Sequence, residues 1–426
     1  MKPVLFARTV LPVCTVSVLG CFGVLNGTAA GAEDSSQSVS AEEAESESQD
    51  DNERRQSEVM EDLGVEDDDI TAGEEPEPEA IEEGEAPPAV ELEFYGSARL
   101  RMETSGGQIR FHDNNSRVGL AGAKFVTDSF ELFTRVEFGV DIGGTLDQHD
   151  NPRDGTPNGD DENIFPRIGF IGLGTQYGAL SYGKQWSVYY DVAAFTDRFA
   201  VFGASASGTY NAGTDGGGSG TGRADNAGKY RLRRDAITLG AQIQNQAEIP
   251  LTGGIDYDLG YGLSLTHEWP FGLEVGGAYN RATIDNLDAN LRALGLTGDS
   301  EAAIVGLKYN KGRLYIGTTY ARHRNLEATD QDLFVDGTGW ELYGRFNVRE
   351  RFRVVGGANV MEPDSDDPNA GRYDIRSGIL GMQYTYGNIG NGDIVYFETQ
   401  VNNGHNFDGS GRSNVYTVGF RYSVRY

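Results

Sequence analysis

Beyond its first 25 residues the sequence has no apolar run long enough to cross a membrane as a helix, and its mean hydropathy is −0.45. A helical-bundle membrane protein is thereby excluded, since each span needs about 20 apolar residues. Cysteine is nearly missing: only Cys14 and Cys21 occur, both close to the N-terminus. Basic residues are outnumbered, 35 against 65 acids, for a net charge of −30. That balance excludes a nucleic-acid partner, because phosphates need an excess of Lys and Arg. Proline is modest at 13, and the 59 glycines show no three-residue period, so collagen is excluded. The five histidines (His112, His149, His267, His323, His405) are scattered, and none forms an H-x-x-x-H pair. No metal site is expected from them. Gly216-Gly217-Gly218-Ser219-Gly220 lacks the Lys-Ser/Thr ending of a phosphate loop and reads as flexible chain. No cofactor is expected.

What is present falls into three zones: 1–32, 33–90 and 91–426. The first reads as a secretory signal. Lys2 and Arg8 supply positive charge, Thr9 to Leu25 is mostly apolar, and Ala30-Gly31-Ala32 offers a cleavage site before Glu33. A membrane anchor and a lipoprotein signal (Val18-Leu19-Gly20-Cys21) are the alternatives. The run is broken by Pro12, Thr15 and Ser17, and apolar residues continue past Cys21, which disfavours both. Cleavage would leave a chain with no thiol, which suits passage through an oxidising compartment. Residues 33–90 hold 23 acids against Arg54 and Arg55, with no aromatic residue. Such a segment buries too little apolar surface to offset its chain entropy, so it reads as disordered, an acidic solvated spacer.

From Glu91 onward the pattern has period two. Phe94, Gly96, Ala98, Leu100 and Met102 share one face, and Tyr95, Ser97, Arg99 and Arg101 the other. At the far end Tyr416, Val418, Phe420, Tyr422, Val424 and Tyr426 alternate with Thr417, Gly419, Arg421, Ser423 and Arg425. Alternation with charge on one face fits a soluble sandwich or a membrane barrel with a wet lumen. Connections decide between them. Short ones (127–129, 175–177, 234–235, 270–272, 311–313, 349–351) alternate with long ones (143–163, 188–226, 285–300, 325–337, 362–372, 403–412). Outer-membrane barrels show that asymmetry. Aromatics near strand ends (Trp186, Tyr189, Tyr190; Trp269, Phe271; Tyr384, Tyr386) suit interfacial girdles. The expectation is an all-β, 16-stranded antiparallel transmembrane β-barrel, from a strand at 93–103 to one at 413–426, with 254–269 counted as one strand. A barrel of that size leaves an aqueous channel.

Several segments resemble the general, diffusion-type, trimeric porins of Gram-negative outer membranes. Asn114-Asn115-Ser116-Arg117-Val118-Gly119-Leu120-Ala121-Gly122 is similar to the family's second strand, and Arg167-Ile168-Gly169-Phe170-Ile171-Gly172-Leu173 to its fourth. Leu180-Ser181-Tyr182-Gly183-Lys184-Gln185-Trp186 with Tyr190-Asp191 resembles the entry to the third loop, and Lys229-Tyr230-Arg231 the exit. The resemblance spans about 91–426. It implies that the third loop, 188–226, folds into the lumen and faces a basic wall at Arg117, Arg167 and Arg231, joined by Arg99, Arg101 and Arg135. It implies constriction residues Asp197, Arg198, Phe202 and Asp215, and an acceptor for a neighbour's second loop at Lys184. Phe420, Tyr422 and Tyr426 would form the assembly signal read by the barrel-insertion machinery. Implied partners are outer-membrane lipid, lipopolysaccharide and two further copies of the chain.

The loop departs from the family pattern. Where many members carry Pro-Glu-Phe-Gly-Gly-Asp, this chain reads Ala200-Val201-Phe202-Gly203-Ala204-Ser205, without either carboxylate. Asp197, Asp215 or Asp225 would have to compensate for a cation-preferring pore to be kept. Three other readings stand beside passive diffusion. One is an anion-selective pore using a ladder of Arg99, Arg101, Arg135, Arg345, Arg421 and Arg425. Another is a barrel enzyme, disfavoured by unpaired histidines and the lack of G-x-S-x-G. The third is a non-conducting adhesin. The bland reading of the arginines is that Glu103, Glu131 and Glu137 simply pair with them.

Overall fold

The computed structural model describes residues 91–127, 130–142, 164–249, 254–367, 370–387 and 392–426. The signal segment 1–32, the acidic segment 33–90 and the second loop 143–163 lie outside them.

Alternating side chains produce strands almost throughout. The first group is β1 (Glu91–Ser105), β2 (Gln108–Asp113), β3 (Arg117–Thr127), β4 (Phe130–Val140), β5 (Ile164–Thr175) and β6 (Gly178–Trp186). A one-turn helix α1 (Tyr190–Ala193) follows inside the third loop. Then come β7 (Arg223–Arg234), β8 (Ile237–Ile249), β9 (Ile255–Glu268) and β10 (Leu273–Ile284). After a short helix α2 (Ala289–Ala293) run β11 (Ser300–Lys311), β12 (Leu314–Ala328), β13 (Phe334–Arg349) and β14 (Phe352–Pro363). The last three are β15 (Ile375–Thr385), β16 (Ile394–Asn402) and β17 (Val415–Arg425). Among the described residues no helix is long and apolar enough to cross a membrane.

β1 pairs antiparallel with β2 and β3, each strand from β3 onward pairs antiparallel with the next, and β17 returns to β1, from Tyr95 opposite Arg425 to Ser105 opposite Val415. The sheet therefore closes on itself and leaves no edge of unpaired N–H and C=O groups, which lipid requires. β2 and β3 lie end to end along β1, as Leu100 pairs with Asp113 and Ser97 with Arg117. They form one wall strand interrupted at Asn114–Ser116, so 17 strands make a wall of sixteen. The stretch Gln108–Asp113 extends the second strand beyond the expected 115–126. The 254–269 stretch is one strand, as expected.

The two faces sort as the alternation predicts. Phe94 is 45% exposed and Tyr95 9%; Phe420 is 40% exposed and Arg421 5%. Outward apolar side chains recur right round the wall, including Leu120, Ile171, Leu239, Leu263, Val305, Ile316 and Leu380. Exposed apolar residues on this scale would aggregate in water but are matched to lipid. Phe271 and Tyr384 face outward as girdle residues should, but Trp186, Tyr189 and Tyr190 do not. They turn inward at the root of the third loop, where Trp186 stacks on Tyr190 at 3.9 Å. Most tight turns lie at one end and the long loops at the other, but the Gly106-Gly107 turn between β1 and β2 is at the long-loop end, and 386–393 makes a longer connection among the tight turns.

Candidate functional site: a loop-narrowed, arginine-lined opening

The third loop runs from Ser187 to Gly222. Its two ends are tied together, the Ser187 N–H donating to the Gly222 carbonyl at 2.9 Å and the Ser187 hydroxyl to the Thr221 carbonyl at 2.8 Å. Between these ties the loop folds inward and lies against the opposite wall.

Glycines on the wall make room for it. A Cβ on Gly240 or Gly262 would stand 2.9 Å from the methyls of Val188. Gly276 and Gly306, directly paired across β10 and β11, stand in the same relation to Val192. A Cβ on Gly317 would lie 2.0 Å from the Phe195 carbonyl oxygen, and one on Gly339 1.6 Å from that of Ala206. From β8 to β13 these glycines thus floor a trough on the lumen face, and the loop's apolar residues occupy it. Tyr189, Val192 and Phe195 pack there with Ala302, Ile304 and Ala321.

Two buried carboxylates bolt the loop down. Glu398 accepts from the N–H groups of Ala200 (2.8 Å) and Val201 (2.9 Å). Glu341 accepts from the Thr196 hydroxyl (2.6 Å) and the Ala206 N–H (2.7 Å). Loop N–H groups inside a barrel need partners, and charge-assisted bonds supply them. Asn359 donates to the Phe202 carbonyl at 3.1 Å, and the Tyr315 hydroxyl to that of Phe195 at 2.9 Å.

Across from the loop, one carboxylate organises three arginines. Glu137, 1% exposed, accepts from Arg135 (2.9 Å), Arg167 (2.9 Å) and the Tyr95 hydroxyl (3.0 Å), with Arg117 at 3.7 Å. Arg135 also donates to the Tyr95 oxygen at 2.6 Å. Arg101 and Arg167 donate to Asn114 and Asn115, at 2.9 and 2.6 Å. Between this wall and the loop lies a polar opening. Arg99, Arg117, Arg167, Arg198, Arg223 and Arg421 line it, with Asn114, Tyr210 and Tyr396 among them. Among the described residues no Asp or Glu lines it.

The expected site residues divide accordingly. Arg99, Arg117, Arg167 and the loop's Arg198 line the opening, while Arg101 and Arg135 are not in its lining. Arg231 does not join the cluster; it is bound to Asp191 of α1. Arg223, on the same strand, stands there instead, over the Trp186 ring at 5.3 Å. The loop carboxylates are drawn away from the opening. Asp197 accepts from the hydroxyls of Tyr190 and Tyr210, at 3.1 and 2.7 Å. Asp215 meets Lys184 at 2.9 Å and Arg223 at 3.2 Å. Burial pushes the Asp215 carboxyl up, but the two cations outweigh it and hold the group below its ordinary value. Phe202 packs with Phe199, Val201 and Tyr343 rather than facing the opening. Lys184, expected as a neighbour's latch, has its ammonium held by Asp215 and, at 2.6 Å, Asp225 of its own chain. Phe420 and Tyr422 face outward on β17, and Tyr426 is exposed.

The sequence model of the Gram-negative porin family matches residues 81–425. The chain belongs to that family. It is 29% identical over 250 residues to outer membrane porin F of Xenorhabdus nematophila, a match covering 55% of this chain and 62% of that protein. The chain thus spans less than two thirds of that relative's length. Among solved structures, Salmonella typhi OmpF in complex with daunomycin superposes with a TM-score of 0.63 at 19% identity, covering 79% of this chain and 97% of that one. OmpT of Vibrio cholerae, in a trimer form, superposes at 0.56 and 19% identity, covering 79% and 100%. At these identities the likeness is one of fold. This porin is a multi-pass β-barrel of a Gram-negative outer membrane.

Proposed function

We propose that residues 91–426 form a water-filled channel through which small hydrophilic solutes and ions diffuse passively. The observation that carries this reading is the loop itself. It is fixed inside a closed barrel, yet leaves a polar opening beside the arginine wall. A fixed constriction admits by size and charge and needs no catalytic step. Residues 1–32 act as an export signal and 33–90 as an acidic solvated spacer. The outward apolar face meets lipid and lipopolysaccharide, and β17, through Phe420, Tyr422 and Tyr426, is read by the insertion machinery. Three copies assemble, in line with the trimer form of the Vibrio cholerae neighbour. Liposome swelling tests the reading. Vesicles carrying the protein should swell in small sugars and progressively less as the sugars grow; swelling no faster than empty vesicles would refute it.

A further inference from the structure

We propose that the opening is an oxyanion-selective filter, admitting small carboxylates and phosphates in preference to cations of similar size. This rests on the channel reading above and names its solute class.

Three independent placements carry it. First, the lining holds six arginines, one each from β1, β3, β5, the third loop, β7 and β17. Second, the nearby carboxylates point elsewhere. Glu137 lies beneath Arg117, Arg135 and Arg167, one negative charge against three positive. Asp225 is engaged by Lys184, Asp215 by Lys184 and, behind the lining, by Arg223, and Asp191 by Arg231 and the Ser264 hydroxyl. Glu341 and Glu398 are turned to the loop backbone. Third, the loop side presents a cation of its own. The Arg198 guanidinium sits 4.6 Å from the Tyr315 ring centroid, and Arg345 lies over the same ring at 5.5 Å.

The opening is therefore positive on both sides rather than crossed by a field from a negative loop to a positive wall. A passing anion meets attraction from both, and a cation meets repulsion from both. Guanidinium adds geometry to charge. Its planar fork matches two oxygens of a carboxylate or phosphate, which chloride cannot offer.

The test uses the full chain purified from membranes and placed in a planar bilayer under a KCl gradient. The reversal potential should report chloride more permeable than potassium. The ratio should fall towards one between 0.1 M and 1 M salt, as the screening length contracts from about 10 Å to about 3 Å. Acetate and inorganic phosphate, added separately, should each reduce the chloride current saturably. If only one does, the filter is specific to that oxyanion. Arg198→Glu should lower the chloride-to-potassium ratio severalfold. A wild-type pore preferring potassium would overturn the inference while leaving the channel reading intact. So would an Arg198→Glu pore of unchanged ratio. A folded barrel with no conductance at all would instead overturn the channel reading.

Discussion

Gly339 of β13 lies directly beneath the carbonyl of Ala206, so close that a single added methyl would stand 1.6 Å from the oxygen. Wall and loop are thus in backbone contact there, and no rotamer change relieves a collision with a carbonyl. Gly339→Ala should push the loop off its seat at a cost of about 1–3 kcal/mol. Single-channel conductance should change, and the sugar size limit in liposome swelling should move with it. Gly378→Ala on β15, with nothing within 4 Å of its added methyl, is the control and should leave both unchanged.

The Glu398 clamp yields a second prediction. Its two oxygens serve two successive N–H groups, at 2.8 and 2.9 Å. In Glu398→Gln an amide nitrogen would face one of those donors. The loss should be about 1–3 kcal/mol, the usual cost of leaving a buried donor unmet. Open-channel current noise should rise as the Ala200–Val201 segment loosens, while the barrel's resistance to heat in detergent stays close to wild type.

Removing the centre of the arginine cluster should be worse. Glu137→Gln leaves Arg117, Arg135 and Arg167 facing one another without a counter-charge. Breaking a buried ion network in this way costs about 3–5 kcal/mol. The unfolding midpoint in urea should fall clearly, and conservative Glu137→Asp should recover part of the loss.

Acid should release the loop from another side. The folded Asp215 carboxyl titrates below its ordinary value of about 3.9, held there by Lys184 and Arg223. A depressed carboxyl contributes stability that is present above the unfolded value and lost as pH falls through the folded one. The contribution of Asp215 should therefore be intact down to about pH 4 and be lost below it, while Asp225, raised by burial on the same Lys184, gives way earlier. Conductance should follow these losses, and Asp215→Asn should alter it already at neutral pH.

Much of this architecture is legible in the sequence because one pattern serves two solvents. Phe420 and Arg421 are neighbours in the chain, yet one meets lipid and the other the lumen, and strict alternation announces it. The long third loop, its inward Arg198 and the wall arginines Arg117 and Arg167 follow from the family motifs. What escapes is whatever depends on where the loop comes to rest. Glu341 and Glu398 are single polar residues on inward faces, and no spacing marks them as clamps. Arg223 and Arg231 share a strand and a residue type; only the loop's path gives one the opening and the other Asp191. Trp186, Tyr189 and Tyr190 look like girdle aromatics by type, but they stand where the chain turns inward. The short β2 is missed because the sequence reading starts the second strand at 115, and nothing in Gln108–Asp113 marks it as an upper part of the same wall strand.

Single-channel recording across a planar bilayer tests the central claim most directly. Protein purified from membranes and added at trace level should give stepwise, stable conductance increments, grouped in threes for a three-pore assembly. A correctly folded, heat-resistant barrel that leaves the bilayer silent would contradict it.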